Sequence, residues 1–395
     1  MVAINRIALC SKGAVWTLVL GYCFINFSFL ESQTRQFLAF GLFGLSILFA
    51  IPENFVEIRT GRIRGYLWGL AILLYTIIIT NFLGTHGIYG QNKFQYFLFV
   101  GFIGFISFPP VLKYSEARDL FCKALYYSSL LFCLLAIFFA QPEMGRRSEI
   151  ELNPAILARL CMVAGIYVAT IIYYKGISWK RISVLLLSIT AVFFTATKTP
   201  VPVFIIAFYL VTFKQFKLVK GLRLLGYSVV VVTLGYLLLT NVVPEQYSAR
   251  ILDPQALSWE RQSTEGNRYE LYQLAAKIIP NHIEGTGFGG FATFHSFIVA
   301  PHNIFLEAAI ELGLLAGVLL LIWSLKVIRK IRAIPLNDIN STFLSVTFVY
   351  FLVSFLFGGE LTIQCLLLYI IGTFFLYQTR SVYFRNDFQR YKKRL

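Results

Sequence analysis

Charge is scarce in this chain of 395 residues. Only 14% are Asp, Glu, Lys or Arg, against about a quarter in ordinary soluble domains, which argues against a water-soluble globular protein. Acids are scarcer still, 19 against 35 basic residues. No CxxC pair, GxSxG elbow or Walker loop occurs, nor any Asp/His/Cys spacing suited to a metal. The six cysteines (Cys10, Cys23, Cys122, Cys133, Cys161, Cys365) lie in or beside apolar runs and none falls in 244–302. A disulfide framework is therefore not expected, and they read as small packing residues.

What the chain has instead is apolar length. Hydrophobic residues make up 57% and the mean hydropathy is +0.70. Runs near twenty residues recur from end to end, the length that crosses a bilayer as a helix. The expected fold is an all-α polytopic transmembrane bundle of about twelve spans, near 14–30, 37–54, 66–84, 95–112, 122–140, 155–174, 182–197, 200–213, 222–243, 303–325, 341–358 and 361–379. Residues 1–243 hold spans one to nine, 244–302 an outer loop, 303–379 spans ten to twelve, and 380–395 a basic tail. The first apolar run shows no small-residue cleavage pattern, so it reads as a span and not a signal peptide. With both termini cytoplasmic, 25 of the 35 Lys and Arg fall on the inner side, as the positive-inside rule requires. The net charge of +16 is thereby explained without a nucleic-acid partner.

Ten of the eleven connections are short. The exception runs from Pro244 to His302 on the outer side, a length usually kept for function. Within it, GNRYELYQLAAKIIP reads as one amphipathic helix, capped by Asn267 with Glu270 in a capping box and stopped by Pro280. Leu271, Leu274, Ala275 and Ile278 form an apolar stripe that lays the helix on the membrane or on the bundle. Arg268 lies beside that stripe, which aims its guanidinium at the bundle mouth. The glycines from Gly285 to Gly290 follow; they either let backbone approach a ligand closely or form a plain flexible turn.

Basic residues on the outer side are few. Arg146 and Arg147 lie between spans five and six, Lys198 between spans seven and eight, Arg268 in the long loop, and His302 at the start of span ten. Four outer segments thus supply a cation or an imidazole, a set suited to an anionic, phosphate-bearing ligand at the outer leaflet. Plainer alternatives stand beside this. Lys198 can snorkel to headgroups, Arg146 and Arg147 can contact lipid, and His302 can serve only as a helix-start residue. Pro200 disfavours helical geometry at Thr199, so Lys198 is expected at a short, bent turn. Glu307 and Glu311 share a face of span ten and cannot face lipid cheaply. They are either buried partners of a cation or the lining of a polar cavity.

In HNIFLEAAIELGLLAG, His302 and Asn303 are followed by nine residues and Gly313. Upstream, NPAILARL, TATK, GNRYELYQLA and GTGFGGF occur in that order. The arrangement resembles the O-antigen ligase and polymerase family of bacterial envelopes over roughly residues 145 to 360. Two departures are visible: Ala316 stands at a usual glycine, and Lys198 stands where the family has an arginine. The resemblance implies metal-independent, inverting glycosyl transfer without a cofactor. The donor would be an undecaprenyl-diphosphate-linked glycan at the periplasmic face of the bacterial inner membrane.

Under that resemblance His302 takes the proton of the acceptor hydroxyl, and Arg268 and Lys198 hold the diphosphate. Asn303, Glu307 and Glu311 orient the histidine and shape the cavity beside it. Arg146 and Arg147 add substrate contacts, and Glu360 in FGGELT matches an acidic residue of some relatives. The acceptor is another lipid-linked glycan, for an O-antigen or exopolysaccharide polymerase, or lipid A-core, for a ligase. Membrane lipid and a chain-length regulator are the other expected partners. A twelve-span transporter or lipid-linked glycan flippase is the reading from a different class, although the two halves show no mutual similarity.

Overall fold

The computed structural model describes residues 2–26, 32–59, 64–139, 154–195, 197, 199–213, 233, 235–237, 240–243, 268–295, 300–334, 338–358, 361 and 363–377. Among them the architecture is all-helical, and Thr85 and Phe288 form an isolated β-bridge. The first half holds α1 (Val2–Asn26), α2 (Ser32–Arg59), α3 (Arg64–Leu83), α4 (Gly87–Gly101), α5 (Ser115–Phe139), α6 (Pro154–Lys175), α7 (Trp179–Phe194) and α8 (Pro200–Thr212). The second holds α9 (Arg268–Asn281), α10 (Ile304–Glu311), α11 (Leu314–Ala333), α12 (Ile339–Leu356) and α13 (Leu366–Tyr377).

Among the described residues, six helices are long and apolar enough to cross a membrane: Leu9–Asn26, Thr34–Arg59, Gly87–Lys113, Ser115–Phe138, Pro154–Lys175 and Ile339–Leu356. Shorter apolar helices occupy Gly69–Leu83, Pro200–Thr212 and Leu366–Tyr377. These fall on nine of the twelve expected spans. Most of expected span nine, the loop before Arg268 and the tail 380–395 lie outside the described residues. Helix is the form that satisfies every backbone group within the segment when lipid offers no partner.

Hydroxyls tie the helices together. Ser46 Oγ donates to Ala14 O (2.9 Å) between α2 and α1. Ala164 N donates to Ser129 Oγ (2.7 Å) between α6 and α5, and Tyr174 meets Thr342 (2.8 Å) between α6 and α12. Such bonds and close-packed small residues hold helices where lipid removes the hydrophobic drive between them. The core beneath α11 to α13 is aromatic. Phe105 lies in a π-helical turn (Phe102–Ser107) that continues α4, and its ring stands 4.5 Å from that of Tyr369. Trp323 packs edge-on to Phe348, 5.9 Å between centroids.

The bundle has two chemically different ends. At one, Ser11 donates to Glu53 and Lys113 pairs with Glu57. Lys12 meets Glu116 (3.1 Å), Lys123 meets Asp119 (2.6 Å), and Asn340 donates to Asp119 (3.2 Å). At the other stand the first turns of α4, α6 and α10 and the last turn of α12.

Expected span ten differs from its reading as one helix over 303–325. The chain breaks after Glu311, turns at Gly313 (φ 92°) and restarts as α11. The turn is sharp: a Cβ on Gly317 would stand 2.8 Å from Ala309 Cβ and 3.0 Å from Phe305 O. Thr199 also departs from expectation. It is helical (φ −71°, ψ −33°), and its carbonyl accepts from Val203 N at 3.1 Å. Pro200 is at the first helical position, where its missing N–H leaves nothing unsatisfied.

Candidate functional site

His302 begins the site. Its φ of 57° is the one positive value of a non-glycine among the described residues. A side-chain-bearing residue in left-handed conformation costs about 1–3 kcal/mol and persists where its surroundings determine it. Those surroundings are visible. Ala300 before it and Ile304 after it are fully buried, while His302 itself is half-buried. Asn303 is the N-cap of α10: its Oδ1 accepts from Phe305 N (3.0 Å) and Leu306 N (3.2 Å). Its amide also donates to Leu356 O at the end of α12 (3.2 Å).

Glu307 and Glu311 lie one turn apart on α10 and are fully buried. Both meet Lys93 of α4, itself 1% exposed, with Glu311 at 2.7 Å from the ammonium. Leu361 N donates to Glu307 Oε2 (2.9 Å) and Gly289 N to Glu311 Oε1 (3.2 Å). Of the two arrangements open to this pair, the structure adopts the buried-cation one.

The glycine loop does approach something closely, and it is the protein itself. A helix end leaves carbonyls without partners, and the loop supplies them. Thr286 N donates to Ile310 O (2.7 Å) and Gly287 N to Glu311 O (3.0 Å). Tyr75 OH satisfies Leu312 O (2.8 Å), and Leu314 N donates to Ile283 O (2.9 Å). Gly285 has φ 102°, and a Cβ there would sit 2.6 Å from Gly313 N. On its other side the loop meets α4, where a Cβ on Gly90 would collide with Phe288 O. His86 N donates to Phe288 O (2.9 Å), and His86 Nε2 lies 2.6 Å from Thr286 O.

Helix α9 lies on this assembly as its stripe requires. Leu271, Ala275 and Ile278 are buried against Phe291 and Ile310. Tyr272 OH donates to Leu356 O (3.1 Å), the same carbonyl that Asn303 reaches. Arg268 is the first residue of α9. The structure therefore gathers His302, Asn303, Glu307, Glu311 and the α9 helix at one end. Lys198, Arg146, Arg147 and Glu360 lie outside the described residues, as does the expected cap Asn267.

Two buried cations escaped the sequence reading. Lys93 is one. Arg159 is the other: its guanidinium donates to Gln364 Oε1 (3.1 Å) and to Gly358 O, and lies 5.2 Å from the Phe355 ring. Both belong to the ten basic residues not on the inner side, and Lys93 stands at the mouth of an apolar run. An unmatched basic residue there, together with two acids one turn apart, was the available signal.

Taken together, these are the features of a multi-pass helical membrane protein with a polar site at one end of its bundle. Within it, residues 182–321, roughly a third of the chain, match the family model described as O-antigen ligase, in agreement with the resemblance read from the sequence. The match runs from α7 into α11 and takes in α9, the glycine loop, His302 and α10. It supports a membrane glycan ligase or polymerase kind of function, with glycan and lipid-linked substrates. Comparison with curated proteins found no match.

Proposed function

We propose that the chain transfers or polymerises an undecaprenyl-diphosphate-linked glycan at the periplasmic face of the bacterial inner membrane, without metal and with inversion. The observation that carries this reading is His302. It is a strained, half-buried histidine inside the matched segment, set between buried Pro301 and Ile304 and directly ahead of a helix cap.

The chemistry suits an imidazole. A sugar hydroxyl is a poor nucleophile near neutral pH, and a histidine with an ordinary pKa of about 6.5 can accept its proton. The acceptor oxygen bonds to the anomeric carbon of the donor while the carbon–oxygen bond to the diphosphate breaks. The proton goes to His302, and undecaprenyl diphosphate leaves with the bonding electrons. Arg268 and Lys198 neutralise that leaving group, with Arg146, Arg147 and Glu360 as further substrate contacts. Asn303, Glu307 and Glu311 orient the histidine turn.

Support for the outer side as the site of reaction comes from charge. In the twelve-span reading the basic residues concentrate in the loops of the opposite side, which supports cytoplasmic termini. The acceptor separates polymerase from ligase. The description of the matched family favours lipid A-core as the second reading. A deletion strain distinguishes them: single repeat units on core indicate a lost polymerase, and bare core with accumulating lipid-linked polymer a lost ligase.

The test of the chemistry is in vitro transfer from purified lipid-linked donor. His302→Ala is expected to lower kcat by roughly 10²- to 10⁴-fold, the usual worth of a general base, while donor binding persists. Transfer at the wild-type rate would reduce His302 to a helix-start residue and remove it from the reaction.

A further inference from the structure

Lys93 lies outside the matched segment, and none of the substrate roles above uses it. It is nevertheless the most buried cation among the described residues. An isolated ammonium in such a place is costly, and what meets it is specific. Glu307 and Glu311 reach it from successive turns of one helix face. Each carboxylate then takes a backbone N–H from a different segment, Leu361 for one and Gly289 for the other. Four pieces of chain converge on a single charge: α4, the glycine loop, α10 and the segment after α12.

The helix they hold needs holding. α10 has eight residues, two turns, which is too short to be stable by its own hydrogen bonds. Ile304 and Ala308 are buried, but apolar contacts tolerate sliding and small rotations. Two carboxylates on one ammonium do not. Rotating α10 by one residue, about 100°, would turn both acids off the lysine and leave buried charge unpaired. His302 is the residue just before the cap of that helix.

We propose that Lys93 is a positioning residue for the transfer step. By drawing Glu307 and Glu311 to one point it fixes the rotation and depth of α10, and so where the His302 turn presents its imidazole. The inference rests on the function proposed above for its effect on rate, and on geometry alone for its effect on position.

The experiment therefore has two arms, both on the full chain purified in detergent. In the first, lipid-linked glycan transfer is measured for Lys93→Met and Lys93→Arg. Misplacing a catalytic group by about 1 Å can cost roughly 100-fold, so Lys93→Met should lose about that in kcat with its KM for donor little changed. Lys93→Arg, which keeps the charge, should recover part of the loss. A matching fall in donor affinity, or an unchanged kcat per folded molecule, would overturn the proposal. The second arm needs no activity. The rate at which a maleimide labels His302→Cys is read with and without Lys93→Met, by mass spectrometry of the 302 peptide. A several-fold change is expected, with none for the control Lys123→Met at the opposite end. An unchanged rate refutes the positioning role whatever the enzyme does, whereas a wild-type protein that transfers nothing refutes only the proposed function. If Lys93→Met does not accumulate folded, Glu311→Gln, which still offers an acceptor to Gly289 N, is read by the same labelling criterion.

Discussion

The two ends of the bundle solve the same problem, charge beside a membrane, in different ways. At one end Lys12–Glu116 and Lys123–Asp119 are about half exposed or more and pair where water already solvates both partners, while Lys113 and Glu57 beside them form a single, largely buried pair. At the other end, Lys93, Glu307 and Glu311 are sealed from solvent, and each carboxylate accepts one backbone N–H besides the ammonium. Exposed pairs are worth about 0–1 kcal/mol. A buried set has lost its hydration, so its net gain over apolar packing is small even though breaking it is expensive. The contrast teaches that the buried triad is there for geometry. Stability could have been had from leucine.

Three substitutions break or sharpen that contrast. The largest effect belongs to Lys93→Met, which strands two carboxylates in the interior. It should lower unfolding stability by about 3–5 kcal/mol, read as a shift of the thermal unfolding midpoint in detergent. Next comes Gly90→Ala, where the new methyl meets Phe288 O of the glycine loop. Carbonyl oxygen cannot rotate out of the way as a side chain can, so overpacking should cost about 1–3 kcal/mol. It should also weaken protection from hydrogen exchange at Thr286 and Gly287, whose amides hold the end of α10. The smallest change is expected for Lys12→Ala, under about 1 kcal/mol and smaller still in high salt. If Lys12→Ala destabilises as much as Lys93→Met, the two ends do not differ in the way described.

Much of the helical layout was legible because it depends on local pattern. Apolar length marked the nine segments that the structure makes long or short apolar helices. The stripe from Leu271 to Ile278 set the face on which α9 lies. The start of α10 after His302 could also be read, since Asn is a good cap and the apolar run begins there. The break in that run could not. Leu312 and Gly313 keep the hydropathy continuous, and what permits the turn is a set of donors from Thr286, Gly287 and Tyr75 supplied by distant segments. The partner of Glu307 was hidden for the same reason, being 214 residues away in the chain. Thr199 shows a local rule giving way, because Val203 closes a helical turn onto its carbonyl.

The separation between Lys93 and its acids has a consequence for how the protein is made. The chain emerges from its N-terminus, so α4 is complete long before Glu307 exists. At about 5–20 residues per second, 214 residues take roughly 10–40 s to synthesise. Through that interval the ammonium has no carboxylate from α10 to meet. Lys93 stands in the second turn of its helix, close enough to the end for its flexible stem to carry the charge to the membrane surface. When α10 arrives, the ammonium must be drawn inward as Glu307 and Glu311 take up their places. Closure of the triad is thus a late act of assembly, the moment at which a helix made early is latched to one made near the end.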